Sequence, residues 1–150
     1  MFPPCNPYVP AQLLNMSRNY EFVQLDVFTQ TRLAGNPLAI FTDARGLRDE
    51  EMQKLAREMN LSETTFILPR EPEIEAREGK RVRIFTVEEE LPFAGHPTLG
   101  TALYLYSTAD KPTEQIVLDL NVGKVPVGFE ADSEGVSRDC VDGTIFGEMR

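Results

Sequence analysis

The sequence predicts an α+β fold, in which a curved, mixed β-sheet or barrel wraps around one central helix and a second, amphipathic helix lies outside. Three observations favour this fold. Several short segments alternate apolar and polar residues, as strands with one buried face do. Residues 49–60 instead repeat apolar residues with the period of a helix. Residues 91–109 contain no Asp, Glu, Lys or Arg, although 26% of the chain is charged, so we expect this segment in the interior.

The strands and turns follow from these patterns along the chain. Strands are predicted over residues 22–28, 38–41, 63–69, 81–87, 115–123 and 124–130. The last of them is expected to continue the strand before it through a bend at Gly123. Residues 70–80 are polar and predict a hinge, and Asp142-Gly143 marks a hairpin before the final residues.

Two helices are predicted. The helix over 49–60 begins with three acidic residues, which suit the positive end of its dipole, and Asn60 suits its stop. The second helix is predicted from Pro97, a favoured first helical residue, to about Tyr106. Its apolar residues cover every face, so we expect it to be enclosed by the sheet.

Composition restricts the partners and cofactors of the chain. A length of 150 residues favours one domain, and the net charge of −9 argues against a nucleic-acid or anionic-membrane surface. No Walker A or G-x-G-x-x-G motif is present. Cys5 and Cys140 lie far apart and the chain has one histidine, so no zinc site is expected. Two free thiols in a reducing cytosol fit this pattern, and a cytoplasmic location is expected.

The N-terminal residues differ in character from the rest. Four of the eleven prolines fall within the first ten residues, and no basic segment of a secretory signal is present. We therefore expect residues 1–19 to form an irregular extension, with Met16 as a candidate natural start, and residues 20–150 to form the folded domain. Residues 91–109 approach the length of a membrane span, but their prolines and glycines favour a buried element instead.

The one histidine of the chain, His96, lies between Gly95 and Pro97 at the predicted helix start. The first N–H groups of a helix lack intrahelical partners, so this helix start can bind an anion such as a substrate carboxylate. His96 could donate a hydrogen bond there or carry a proton. A capping histidine with only a local backbone bond is the structural alternative.

Glu63 lies where the first predicted helix gives way to an apolar strand. A carboxylate at such a junction can be partly desolvated, which suits it to acid/base chemistry near neutrality. The alternative is a surface residue at a strand start. Ser62 has no candidate base other than His96, so a serine nucleophile is disfavoured. The Glu88-Glu89-Glu90 run is interpreted as a solvated turn.

Three stretches together resemble the N-terminal half of the PhzF-like phenazine-biosynthesis family, which has the diaminopimelate-epimerase fold. They read QLDVFTQTRLAGNPLAIF, MQKLAREMNLSETTFIL and RIFTVEEELPFAGHPTLGTALYL, and they occur in the family's order and spacing. The pair SETTF and PFAGHPT is the specific part of the likeness. The final GTIFGEMR is similar to the strand that closes the family's first domain.

The resemblance implies a function and a set of site residues. Family members are cofactor-independent isomerases, and the best-known one moves a proton between carbons of a dihydro-hydroxyanthranilic acid. By motif, Glu63 would be the general acid/base and His96 would assist it. Ser62, Gly95, Pro97 and Thr98 would contact the substrate and hold its carboxylate. The diaminopimelate epimerases use paired cysteines, which these motifs lack, so that activity is disfavoured. The complete protein would be a homodimer.

The resemblance also implies a missing part. Family members have two similar halves with the active site between them, and the second half supplies an aspartate and another helix start. The chain ends with the first half, so we expect a truncated isomerase. The alternatives are a non-catalytic half-domain that pairs with a partner, or a binder of small carboxylates.

Overall fold

The computed structural model describes residues 18–111, 113–129 and 145–149. Cys5, Cys140, the predicted hairpin at Asp142-Gly143 and most of the predicted extension lie outside these residues. The elements are β1 (Tyr20–Val27), β2 (Asn36–Phe41), α1 (Asp49–Met59), β3 (Thr64–Ile67), α2 (Pro72–Glu78), β4 (Lys80–Phe85), β5 (Glu90–Leu91), α3 (Gly95–Ser107), β6 (Gln115–Leu120), β7 (Gly123–Gly128) and β8 (Ile145–Met149).

The strands form one mixed sheet in the order β7-β6-β4-β3-β2-β1-β8, and β5 pairs with β4. The pairs β2–β3 and β4–β6 are parallel and the other pairs are antiparallel. Helix α1 connects β2 to β3, and helix α3 lies between β4 and β6 in the chain. The predicted α+β class with a mixed sheet is confirmed. Among the described strands, β7 and β8 lie at the two ends of the sheet and each pairs with one neighbour only, so this sheet is open and the predicted barrel is not seen.

The two faces of the sheet bury different side chains, because residues alternate between faces along each strand. One face carries aliphatic side chains that pack with α3. These are Val23, Leu25, Val27, Leu38, Ile40, Ile67, Val82, Ile84, Leu118 and Leu120, with Ala102 of the helix. The other face packs against α1. Its buried cluster is Phe41, Ala44, Met52, Ala56, Phe66 and Phe85.

Helix α1 matches its predicted bounds within one residue. The carboxylate of Glu51 accepts the backbone N–H of Arg48, which satisfies a donor at the helix start. Asn60 ends the helix in the left-handed conformation with φ 53°. Met52 and Ala56 of the predicted stripe are buried against the sheet, so the periodicity identified the correct face.

Helix α3 begins at Gly95, two residues before the predicted start, so Pro97 is its third residue. Pro97, Thr98, Thr101 and Ala102 are among its buried residues, but Leu99 is 40% exposed. The helix therefore packs on one face of the sheet and is not enclosed on all sides in the described part of the chain. Because the apolar residues of α3 lie on every face, the sequence did not indicate which face of the helix packs against the sheet.

Gly100 sets the distance between α3 and the sheet. A Cβ atom placed on it would lie 2.5 Å from Cδ2 of Leu38 and 2.8 Å from Cγ2 of Val27. Both neighbours are buried and cannot move aside freely. The helix therefore approaches β1 and β2 more closely than any residue with a side chain would allow.

Two predicted elements differ in the structure. Residues predicted as a hinge contain α2, which begins with Pro72 and ends before Gly79, whose φ is 89°. No residue of α2 is buried, so its pattern carries no helical stripe. Strand β7 does not continue β6 but turns back on it as an antiparallel partner. Gly123, with φ 118°, allows this reversal, where only a bend was expected.

Arg83 of β4 holds together the segment before α3. It forms a two-bonded ion pair with Glu90, at 2.7 Å from Nε and 2.5 Å from an NH₂ group, and also contacts Asp49. Glu90 was interpreted as part of a solvated turn, but it belongs to β5 and is partly buried. The Arg83 guanidinium, with help from Asn121, lowers the pKa of the Glu90 carboxyl.

Alanine at Gly100 is expected to destabilise the chain. The added methyl overlaps buried side chains, and the overpacking outweighs the gain in helix propensity, for a net loss of about 1 kcal/mol. Gly95→Ala is the matched control, because a Cβ at Gly95 meets nothing within 4 Å. Urea unfolding of both variants tests this expectation. If Gly100→Ala were as stable as the unchanged chain or more stable, α3 would not be packed as closely as possible against β1 and β2.

Glu90→Gln is expected to destabilise the chain at neutral pH by about 1–2 kcal/mol, through loss of the charged pair with Arg83. Because the folded pKa of Glu90 is lowered, its contribution is present above the ordinary value of 4.5 and is lost as pH falls through the folded pKa. The difference between wild type and variant in urea unfolding should therefore shrink as the pH falls below 4.5. Exposed Glu88→Gln is the control, and a difference that did not vary with pH would contradict the pairing.

Candidate active site

Three chain segments meet at one edge of the sheet. Asn36 begins β2, Glu63 directly precedes β3, and His96 is the second residue of α3. Because β2 and β3 are parallel, with Ala39 opposite Thr64, their starting ends lie on the same side of the sheet. The start of α3 reaches this same edge. Residues distant in sequence are thereby brought into direct contact.

His96 connects the other two residues through its two ring nitrogens. Nδ1 lies 2.9 Å from Oε2 of Glu63, and Nε2 lies 3.0 Å from the backbone carbonyl oxygen of Asn36. The side chains of His96 and Glu63 are only 10% and 20% exposed. Hydrogen bonds of this length in a partly dry environment fix the imidazole in one orientation.

These contacts determine where protons can lie. A carbonyl oxygen only accepts hydrogen bonds, so Nε2 of His96 must carry a proton and donate it to Asn36. Nδ1 then either accepts the proton of a neutral Glu63 carboxyl or, as imidazolium, donates to its carboxylate. In both states one proton is shared between Glu63 and His96. The geometry therefore builds a carboxyl–imidazole pair that can release or accept a proton.

The carbonyl of Asn36 is held by its position in the chain. A residue before proline is restricted to extended conformations, and Pro37 follows Asn36 directly. Asn36 also pairs with Val27 in the ladder between β1 and β2. Nothing in the sequence pattern indicated that this backbone carbonyl would bind His96.

A buried hydrogen bond between two hydroxyl groups joins β3 to α3 next to the site. Thr65 of β3 and Thr101 of α3 are each fully buried, and their hydroxyl oxygens lie 3.0 Å apart. This bond ties the strand that follows Glu63 to the helix that begins beside His96. It restricts relative movement of the two segments that carry the acid/base pair.

The start of α3 has no side-chain cap. Ala94 precedes the helix with extended backbone, makes no capping hydrogen bond, and the first turn carries no acidic residue. The free N–H groups of a first turn and the helix dipole attract an anion. Gly95 is exposed and has open space where a side chain would lie. A ligand atom can therefore approach the backbone at this point.

The remaining predicted contact residues differ in what they can offer. Ser62 is exposed next to Glu63. Pro97 is buried and has no N–H, and the Thr98 hydroxyl donates to the Ala94 carbonyl at 2.6 Å. The Pro97 ring is buried and the Thr98 hydroxyl has already donated its one proton, so neither offers a side-chain donor to a ligand in this arrangement. Any contribution from these two residues would come through the conformation of the helix turn.

Phe28 was not predicted as a site residue. It follows β1, is 69% exposed, and its ring centroid lies 6.0 Å from that of His96. It borders an apolar groove of about 550 Å³ that also touches Leu99, Leu103 and Phe129. The alternating pattern predicted Phe28 as the end of a strand, and nothing in that pattern indicated its position beside His96.

Within residues 18–111, 113–129 and 145–149, no group of three His, Cys, Asp or Glu side chains is placed to hold a metal ion. None of the helices in that part of the chain is long and apolar enough to span a membrane.

A family model and a similar protein of known sequence both match most of this chain. The model of the PhzC-PhzF family, described as phenazine biosynthesis-like protein, matches residues 25–143. A trans-2,3-dihydro-3-hydroxyanthranilate isomerase of Pseudomonas aeruginosa is 46% identical over 111 residues, which are 74% of this chain and 38% of the relative. The chain thus spans well under half of that relative's length.

Solved structures agree in fold. A PhzF-family phenazine biosynthesis protein of Bacillus anthracis has a TM-score of 0.68 at 29% identity, over 79% of this chain and 38% of the other. A hydroxyproline epimerase of Agrobacterium vitis has a TM-score of 0.56 at 10% identity, over 80% of this chain and 40% of the other, which shows a shared fold alone. The family match covers most of the chain, and the chain belongs to the PhzC-PhzF family of phenazine biosynthesis-like proteins.

Proposed function

We propose that this chain carries the acid/base part of the active site of a cofactor-independent isomerase. The reaction moves a proton between carbons of a small cyclic carboxylic acid, of the trans-2,3-dihydro-3-hydroxyanthranilate type. The observation that carries the proposal is the hydrogen-bonded series Glu63–His96–Asn36. The name and 46% identity of the Pseudomonas aeruginosa relative support the substrate class.

Glu63 is the proposed group that transfers the proton. With the shared proton on His96, the Glu63 carboxylate takes a proton from a substrate carbon as that C–H bond breaks. The electron pair shifts the adjacent double bonds, and the proton returns from Glu63 to another carbon, where a new C–H bond forms. No atom is gained or lost overall. A single carboxyl group can serve both steps because it acts first as base and then as acid.

His96 is proposed to stabilise both charge states of Glu63. As imidazolium it donates from Nδ1 to Oε2 of the carboxylate, and it keeps this proton and this bond when Glu63 carries the substrate proton on its other oxygen. Its Nε2–H stays on the Asn36 carbonyl in both states, so the ring need not turn during turnover. Because the imidazole is already oriented, no side chain has to move when the proton is transferred.

The start of α3 is proposed to hold the substrate carboxylate. Support comes from the absence of a side-chain cap and from the open space at Gly95. Ser62 lies next to Glu63 in the chain and is exposed, so it can add a hydroxyl contact. An anion bound there would place the ring of a small cyclic acid close to Glu63, as proton transfer requires.

The same proposal includes a homodimer of the complete protein and a cytoplasmic location, both resting on the resemblance to the family. Pro97 and Thr98 are proposed to act through the shape of the first helical turn.

A second candidate function is a non-catalytic unit that binds a small carboxylate or pairs with a partner. The exposed apolar groove beside Phe28 favours it, because side chains such as Leu99 are uncovered there. This unit would keep the anion-binding helix start and lack proton transfer. Incorporation of solvent deuterium into the substrate distinguishes the two functions, because only the isomerase transfers a proton.

Glu63→Gln is expected to reduce proton transfer by about 10²–10⁴-fold, because the amide cannot accept and return a proton. The amide can still donate a hydrogen bond to Nδ1 of His96, so ligand affinity should change by less than about threefold. Deuterium incorporation into trans-2,3-dihydro-3-hydroxyanthranilate in D₂O, followed by NMR, measures the transfer.

Glu58→Gln, on the exposed part of α1, is the matched control and should exchange like wild type. Exchange in Glu63→Gln at the wild-type rate would exclude Glu63 as the acid/base group. Binding of the acid without any exchange in wild type would favour the non-catalytic function.

A further inference from the structure

We propose that Thr65 and Thr101 are positioning residues for the acid/base pair. The bond between their hydroxyl groups keeps Glu63 and His96 at hydrogen-bond distance from each other. This inference rests on the proposed function and deepens it, because both threonines are fully buried and act through the pair. Three observations carry it: the apolar surroundings of Thr65, the direction of the Thr101 hydroxyl, and the place of their bond relative to the pair.

Thr65 is a polar residue in an apolar row of the sheet. The residues opposite it on the neighbouring strands are Ile40 of β2 and Ile84 of β4. Both belong to the aliphatic cluster that packs with α3, and Thr65 is buried as deeply as they are. Valine has the shape of threonine, suits a strand equally well, and has no hydroxyl group that must be removed from water. Packing alone would therefore favour valine at this position.

Thr101 directs its hydroxyl away from its own helix. Thr98, one turn earlier, donates its hydroxyl to the Ala94 carbonyl four residues back, a pattern typical of threonines inside helices. The Thr101 hydroxyl crosses to β3 instead and lies 3.0 Å from that of Thr65. Replacing both partners of such a bond by apolar groups of the same shape is nearly neutral for stability. The stability of the fold therefore does not account for this bond.

The hydroxyl bond gives the strand and the helix a second point of attachment. Thr65 follows Glu63 by two residues, and Thr101 follows His96 by five. Both separations are about 7 Å, at ~3.3 Å per strand residue and ~1.5 Å per helix residue. The other point of attachment is the bond between Glu63 and His96. A helix held at one point can pivot there, and a second bond about 7 Å away prevents this movement.

Thr64 provides a matched control beside the pair. It directly follows Glu63, is fully buried, and its hydroxyl has no hydrogen-bond partner among the described residues. Its side chain lies on the face of the sheet opposite to that of Thr65, because successive residues of a strand alternate. Thr64→Val therefore removes a buried hydroxyl next to Glu63 without breaking a bond.

The test measures how fast the Nε2 proton of His96 exchanges with solvent in the 150-residue chain, by ¹H–¹⁵N NMR. This proton is donated to the Asn36 carbonyl, and its observation needs no ligand. In the double variant Thr65→Val/Thr101→Val, exchange should be about tenfold faster, because the pivoting helix opens this bond more often. The Tm should change by less than about 3 °C. Thr64→Val should exchange at the wild-type rate.

Thr101→Ser separates position from stability. It keeps the hydroxyl and removes a buried methyl group, so Tm should fall by about 2–4 °C. Exchange of the Nε2 proton should stay within about twofold of wild type, because the bond to Thr65 remains. The double variant should thus keep its stability and lose the position of the imidazole, and Thr101→Ser should do the reverse.

Deuterium incorporation into trans-2,3-dihydro-3-hydroxyanthranilate gives the functional readout. The double variant should lower kcat by about 10–10²-fold, because misplaced acid/base groups slow the chemical step. KM should change by less than about threefold, because the start of α3 still binds the substrate carboxylate.

Two results would overturn the positioning role. One is exchange of the Nε2 proton at the wild-type rate in the double variant. The other is equally fast exchange in Thr101→Ser and in the double variant, which would assign the effect to packing. If wild type incorporates no deuterium, the proposed isomerase falls, whereas faster Nε2 exchange in the double variant alone would still establish that the threonines position His96.

Discussion

The close approach of helix α3 to strands β1 and β2 is the constraint on which the site depends. Gly100 allows it, because any β-carbon there would overlap Leu38 and Val27. The buried Thr65–Thr101 bond fixes the same helix against β3. With the helix this close, its first turn lies level with the starts of β2 and β3. His96 then contacts Glu63 and the Asn36 carbonyl at the same time. The packing of the helix against the sheet therefore positions the residues of the site.

The chemistry that follows is that of one proton shared by two groups. The Asn36 carbonyl requires a proton on Nε2, which directs Nδ1 at Glu63 and makes the pair a single proton-transfer unit. Low exposure strengthens these bonds and limits competition from water. The uncapped helix start adds attraction for an anion on one side, and Phe28 adds an apolar surface on the other. Together they offer one surface for an anion and one for an apolar group.

Sequence reasoning named Glu63 and His96, which the structure brings into contact, but it did not predict the contact itself. Glu63 and His96 were each ambiguous alone, and the SETTF and PFAGHPT motifs together pointed to both. Their contact could not be derived, because it depends on the parallel register of β2 and β3, which no local pattern encodes. Phe28 was missed because a positive φ leaves no signal in an alternating segment. Helix α2 was missed because it buries no residue, and the reversal into β7 because alternation is the same in either strand direction.

The most direct test of the central claim is the protonation state of His96, measured by two-bond ¹H–¹⁵N NMR of the imidazole. His96 is the only histidine of the chain, so its two nitrogens give one unambiguous pair of signals. We predict that Nε2 carries a proton at every pH at which the chain is folded, and that it still does so in Glu63→Gln. A neutral ring with its proton on Nδ1 and a bare Nε2 would contradict the bond to Asn36, and with it the shared proton of the Glu63–His96 pair.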